Sequence, residues 1–180
     1  MSKLIDFYLY DGSTESGHRL EQIWAWPNSK LEGVHDYIQW LFPTDEPSNF
    51  NPDAPLLDGT DLQAFRVIEC LKGKLRKSFD VFLKFLGLVC EDGQIGLGPD
   101  FLERKEVFEG VNHNWLRITR VIRSLRLLGL DHEAEVFFAF LGRLHTEHGL
   151  ISPDTMKFWE AAATQSLEKG KPCSTDPSTT

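Results

Sequence analysis

The sequence predicts an all-α domain, a single compact unit of about six to eight helices, on three observations. Apolar residues recur with a period near 3.6 through most of the chain. Ser29 with Glu32 and Thr60 with Gln63 have the spacing of capping boxes ahead of two apolar runs. Glycine or proline follows where the runs stop, at Pro27, Pro43, Gly87, Gly129 and Gly149. A chain of 180 residues with 41% hydrophobic residues is long enough to bury a substantial core. Disordered and small disulfide-framework classes are therefore excluded.

Taken in order, the first residues read as a short helix or arm bearing Phe7, Tyr8 and Tyr10, followed by a polar turn. A short helix over 19–26 stops at Pro27, and Ser29 opens a helix that runs to Phe42, before Pro43. Residues 43–59 contain four prolines and read as an extended connector. A helix of about ten residues from Thr60 and a longer one from near Cys70 to Leu86, ending at Gly87, follow, then a glycine-rich loop over 91–99. A helix over 114–128, one capped by Asp131 and ending at Gly149, and one opened by Ser152-Pro153 and reaching Leu167 complete the pattern. The assignment is a domain over 1–168 and a disordered polar tail over 169–180, where KGKPCSTDPSTT has no apolar face.

Net charge is −8, unevenly spread: residues 1–64 hold three basic groups against eleven acidic ones, and 65–126 hold twelve against eight. The acidic total makes nucleic acid an improbable partner, and the asymmetry suggests that the acidic start packs beside the basic middle. Cys70, Cys90 and Cys173 are odd in number and form no CxxC pair, which fits reduced thiols and a cytoplasmic location. No apolar run has the ~18 residues of a membrane span, and the N-terminus lacks the features of a signal peptide.

The helix over 114–128 carries an apolar stripe of Ile118, Val121, Ile122, Leu125 and Leu128, opposite Arg117, Arg120, Arg123 and Arg126. Those arginines are either a solvated face paired with carboxylates, or Arg117 and Arg120 form a fork for a carboxylate or phosphate. On the helix ending at Phe42, Trp40 and Tyr37 lie away from the main apolar arc, while His35 lies on it. Either that helix is covered on both sides, or Trp40 and Tyr37 line a groove. His145 and His148 match no metal signature, the loop GQIGLG is neither a dinucleotide fingerprint nor a P-loop, and there is no GxSxG elbow. No motif supports catalysis, a metal or a cofactor.

Two stretches, HDYIQWLFPTDEP at 35–47 and HNWLRITRVIRSLRLLGLDHEA at 113–134, resemble the conserved region of the opioid growth factor receptor family. The resemblance covers about residues 5–150 and implies an α-helical domain. It further implies a binding function toward a peptide, small ligand or protein partner, with opioid peptide and membrane or nuclear association carried by the family name. The matching positions assigned to a site are Asp36, Tyr37, Trp40, His113, Asn114, Arg117 and Arg120. Recognition of phosphate or nucleic acid by the arginine face, and an uncharacterised enzyme, are the alternatives. The two motifs are expected to meet in the fold, bringing Tyr37 and Trp40 to Arg117 and Arg120, with Asp36 available for an amine.

Overall fold

The computed structural model describes residues 2–48, 51–109 and 112–164. Among them are ten α-helices, one 3-10 turn and one two-stranded hairpin, so the domain is predominantly helical but has more helices than the periodicity suggests. The expected tail, and Cys173 within it, lie outside the described residues.

Helix α1 (Lys3–Leu9) starts at Ser2, whose hydroxyl accepts from the Ile5 amide, and buries Leu4, Phe7 and Tyr8. After α2 (Leu20–Trp24), the continuous helix expected up to Phe42 is two short ones, α3 (Asn28–Gly33) and α4 (Tyr37–Leu41). The chain breaks at 34–36 because its carbonyls there find partners outside a helix. Arg117 takes those of Leu31, Glu32 and Val34, and the Gln39 amide nitrogen takes those of His35 and Asp36. Helix α3 begins at Asn28 after Pro27, so Ser29 is inside it and not its cap.

Helix α5 (Gly59–Val67) is capped by Asp58, which accepts from the Thr60 and Asp61 amides, with Asp61 reciprocating. The box is thus two residues earlier than Thr60 and Gln63, with Asp61 in the role usually held by glutamate. Helix α6 (Glu69–Phe85) buries Leu71, Leu75, Phe79, Phe82 and Leu83 along one face. The segment read as a glycine-rich loop is a hairpin, β1 (Leu88–Glu91) paired antiparallel with β2 (Gln94–Leu97), Leu88 opposite Leu97. Its turn is Asp92-Gly93, both at positive φ (50° and 74°), the conformation that aspartate and glycine tolerate and that matches strand twist. Four-residue strands are too short for a period of two to show clearly in sequence.

Beyond α7 (Phe101–Arg104) and a 3-10 turn (Lys105–Phe108) come the three helices that dominate the C-terminal half. In α8 (His113–Leu127) the Asn112 side chain accepts from the Asn114 amide. Helix α9 (Asp131–His148) begins with Asp131 as its first residue, not its cap, and stops at Gly149 in the left-handed conformation. In α10 (Pro153–Thr164), Ser152 accepts from the Thr155 amide. Helices α8, α9 and α10 pack on one another, while α6 packs on α1, α5 and β1. One continuous core joins the two groups. The acidic start does meet the basic middle: Glu21 pairs with Lys74, Glu32 with Arg104, and Asp45 and Glu46 with Arg123.

Candidate functional site

The face of α8 that carries the arginines meets the segment from His35 to Ser48, and between them is a groove of about 550 Å³. The two sequence motifs therefore come together, but the residues divide differently from the expectation. The Arg117 guanidinium stands 5.6 Å from the Tyr37 ring centre. Arg120 Nη1 donates to the Thr44 hydroxyl at 3.1 Å and, at 3.4 Å, to the Phe42 carbonyl. The aromatic rings, however, do not line the groove. Trp40 is 2% exposed, packs with its ring centre 5.1 Å from that of Phe7 at a 56° tilt and donates its Nε1 to Glu15 at 2.8 Å. Tyr37 is buried against Trp26, and burial pushes its phenol up to about 12. Helix α4 is covered on both sides, which corrects the view of Trp40 and Tyr37 as groove walls.

Arg117 is not part of an anion fork either. It is 4% exposed, and its Nη1 donates to the Leu31 carbonyl at 3.0 Å and to Asn114 Oδ1 at 3.2 Å. Its Nη2 reaches the Glu32 and Val34 carbonyls at 3.2 and 3.0 Å. Those oxygens belong to the last turn and C-cap of α3, which a guanidinium satisfies both as donor and as positive charge at the negative helix end. The same Nη2 lies 3.1 Å from His35 Nδ1. Since a guanidinium only donates, that nitrogen accepts and the ring is held neutral. Burial first, then the charges of Arg117 and His113, lower the His35 pKa from 6.5. His35, expected on a core arc, is exposed at the groove.

Glu32 is the hub beneath this end of the groove. It accepts from Asn114 at 3.1 Å and Arg104 at 3.1 Å, and pairs with His113 at 2.8 Å. Burial alone would raise its carboxyl, but these hydrogen bonds and the His113 and Arg117 charges hold it below the ordinary carboxylate value. His113 and Asn114 thus serve Glu32. Asp36 receives the Ser16 hydroxyl at 2.6 Å on one oxygen, while its other, buried, oxygen has no hydrogen-bond partner among the described residues.

Arg120 differs from its neighbours. It is half-buried in the groove wall, and among the described residues it makes no ion pair. Burial, with no carboxylate to offset it, lowers its pKa from the ordinary guanidinium value. One turn on, Arg123 Nη2 holds Asp45 and Glu46, each at 2.8 Å. Sequence reasoning missed Glu32, Thr44, Arg104, Arg123 and Glu46 as contributors. The signal available was the pair of acids in PTDEP beside arginines spaced one turn apart. A second cavity of about 510 Å³ lies between Trp115 and residues 149–153; there His145 Nδ1 is 2.6 Å from the Ile151 carbonyl. Among the described residues no three metal-ligating side chains gather, and no helix is long and apolar enough to cross a membrane.

The fold and groove define a helical domain in which a bent, acidic, non-helical segment lies across an arginine-bearing helix. That domain is a known one: the chain belongs to the opioid growth factor receptor family, whose conserved-region model matches residues 11–169. It is 35% identical over 133 residues, 72% of its length, to the human opioid growth factor receptor, of which it covers 19%. It is also 32% identical over 121 residues, 64% of its length, to the opioid growth factor receptor-like protein 1 of Xenopus tropicalis, covering 23% of it. The chain spans about a fifth of the length of these curated relatives. No solved structure matches it.

Proposed function

We propose that this domain is a non-catalytic binding module that takes a peptide, or a segment of a partner protein, into the groove and holds it by a carboxylate on Arg120. The observation that carries this reading is Arg120 itself, a half-buried guanidinium facing a cavity without an ion pair among the described residues. Arginine offers planar two-point recognition of a carboxylate, stronger where water is partly excluded. Leu116, 55% exposed, Ile38 and Pro47 provide apolar surface for the rest of the ligand. The name opioid growth factor receptor, borne by relatives, makes an opioid peptide the first ligand to try, and a cytoplasmic location is part of the same reading.

Nucleic acid fits less well. Of the four arginines, Arg117 is spent on α3, Arg123 on Asp45 and Glu46, and Arg126 reaches the Ala162 carbonyl. A phosphate backbone would require several free cations along one face. For catalysis, both groove histidines are already engaged, His35 by Arg117 and His113 by Glu32.

Calorimetric titration with the enkephalin pentapeptide, as the free acid and as the C-terminal amide, tests the proposal. The free acid should bind at least about tenfold more tightly than the amide, the scale of one charge-assisted pair, and Arg120→Ala should abolish that difference. Equal binding of acid and amide, or binding unchanged in Arg120→Ala, refutes it.

A further inference from the structure

The chain bends at Asp45 and Glu46, and the bend brings both acids to one guanidinium. The Asp45 side chain is 6% exposed and the Glu46 side chain 61% exposed, yet both reach Arg123 Nη2 at 2.8 Å. Asp45 also takes Arg123 Nε at 3.3 Å. Arg123 is thus held by a buried aspartate, and the glutamate adds a second, more exposed carboxylate. Glu46 lines the groove. Arg123 and Arg120 are three residues apart on α8 (His113–Leu127), which puts their Cβ atoms about 5–6 Å apart on one face. A carboxylate held by Arg123 on the groove side accordingly stands beside the place where a ligand would meet Arg120.

We infer that Glu46 is an internal competitor for the groove: an extended, carboxylate-bearing peptide segment binds by displacing it from Arg123 and spanning Arg120 and Arg123. This rests on the groove being a binding site. The Pro43–Ser48 segment is itself the precedent for the occupant. It is non-helical and acidic, bends at Asp45 and Glu46, and is already held on α8 through the Ser124 hydroxyl on the Pro43 carbonyl (2.7 Å), Arg120 on Thr44 and Arg123 on Asp45. A carboxylate on a peptide presents to Arg123 the chemistry of Asp45 and Glu46, and offers Arg120 an anion in place of the Thr44 hydroxyl. The exposed Glu46–Arg123 pair is of the weak kind that a better-placed carboxylate can replace, whereas the buried Asp45–Arg123 pair is not. Glu46 thereby discriminates against ligands that bring no acid: they gain nothing from Arg123 and leave Glu46 where it is.

The test is a titration of sodium glutarate, a small dicarboxylate, followed by NMR of the arginine Nε–H resonances, with inorganic phosphate in a parallel arm. The enkephalin free acid is titrated calorimetrically alongside. Wild type, Glu46→Gln, Glu46→Ala and Asp45→Asn are compared, each checked for folding by its melting curve. Both Glu46 variants should bind glutarate and peptide roughly two- to five-fold more tightly, the fold-change equivalent of an exposed ion pair, with Arg120 and Arg123 resonances moving together. Asp45→Asn should not reproduce the gain, because it loosens Arg123 itself. Unchanged or weaker binding in the Glu46 variants, with Arg120 still responding, overturns the competitor role and leaves the groove reading standing. No response of Arg120 to either carboxylate probe in any variant overturns the groove reading and this inference with it. Preferential response to phosphate overturns the carboxylate assignment.

Discussion

Arg117→Ala is the substitution that most directly separates framework from site. The side chain is 4% exposed, and its removal leaves the Leu31, Glu32 and Val34 carbonyls without their donor. Each buried acceptor left unpaired costs roughly 1–3 kcal/mol, less where water from the groove can replace the lost donor. The methylenes and guanidinium also pack at 5.6–5.7 Å from the centres of Tyr37 and Phe85, contacts that an alanine cannot reach. Together these losses come to about 3–5 kcal/mol, comparable to breaking a buried ion pair. In a domain of this size that lowers the melting temperature by about 6–20 °C. Arg117→Lys should rescue only part of the loss, since an ammonium cannot span carbonyls on both sides of a fork. Arg120→Ala, which loses a 3.1 Å bond to a hydroxyl and a 3.4 Å bond to a carbonyl, should cost about 1 kcal/mol or less. Differential scanning calorimetry of the three variants is the assay. An Arg117→Ala domain melting within a degree or two of wild type would refute the stapling of the α3 end.

Leu125 is fully buried on α8, so Leu125→Ala should cost roughly 2–5 kcal/mol, while Leu116→Ala, at 55% exposure, should cost under about 1 kcal/mol; equal losses in urea titrations would contradict the face assignment. Folding holds Glu32 ionised below its ordinary value of 4.5, so its contribution is complete above that value and is lost as pH falls through it toward the folded pKa. Glu32→Gln should therefore flatten the melting temperature against pH on the acid side, and parallel curves for the two proteins would contradict the hub. The His35 ring, surrounded by Arg117, His113, Glu32 and Asp36, should titrate below 6.5 by NMR, its neutral form contributing fully above that pH and the contribution fading below it; a midpoint above 6.5 would mean that Arg117 does not donate to Nδ1.

Helix periodicity was legible wherever a helix was long. α6, α8 and α9 are read from sequence to within a residue or two because each buries one continuous stripe in the shared core. It failed at 30–42, where the apolar spacing continues through a backbone break. What interrupts that helix is Arg117, more than eighty residues away in sequence, and no local pattern encodes a partner at that distance. The hairpin was carried by one dipeptide, Asp92-Gly93, a turn signal that the glycine-rich composition around it obscured. The cap of α5 differed for a related reason: Asp58 and Thr60 are both competent N-caps by type, and the choice between them belongs to the chain's approach from the extended connector.

The same limit explains the site. The spacing of Arg117, Arg120, Arg123 and Arg126 shows which side of α8 the four occupy, and nothing more. The fold gives each a different environment: a buried helix end, a groove wall, a pair of acids and the carbonyl of another helix. A guanidinium has five donors and a fixed charge, so its role is set by what its surroundings leave unsatisfied. Arg117 is committed to three carbonyls at the break before α4 and to His35 at the groove edge. Arg120, one turn further, meets only a hydroxyl and a weak carbonyl contact, so part of its donor capacity is left facing the groove. The motif HNWLRITR is thus divided within itself. Its first arginine holds the end of α3, and its second faces the groove, where the proposed function would use it.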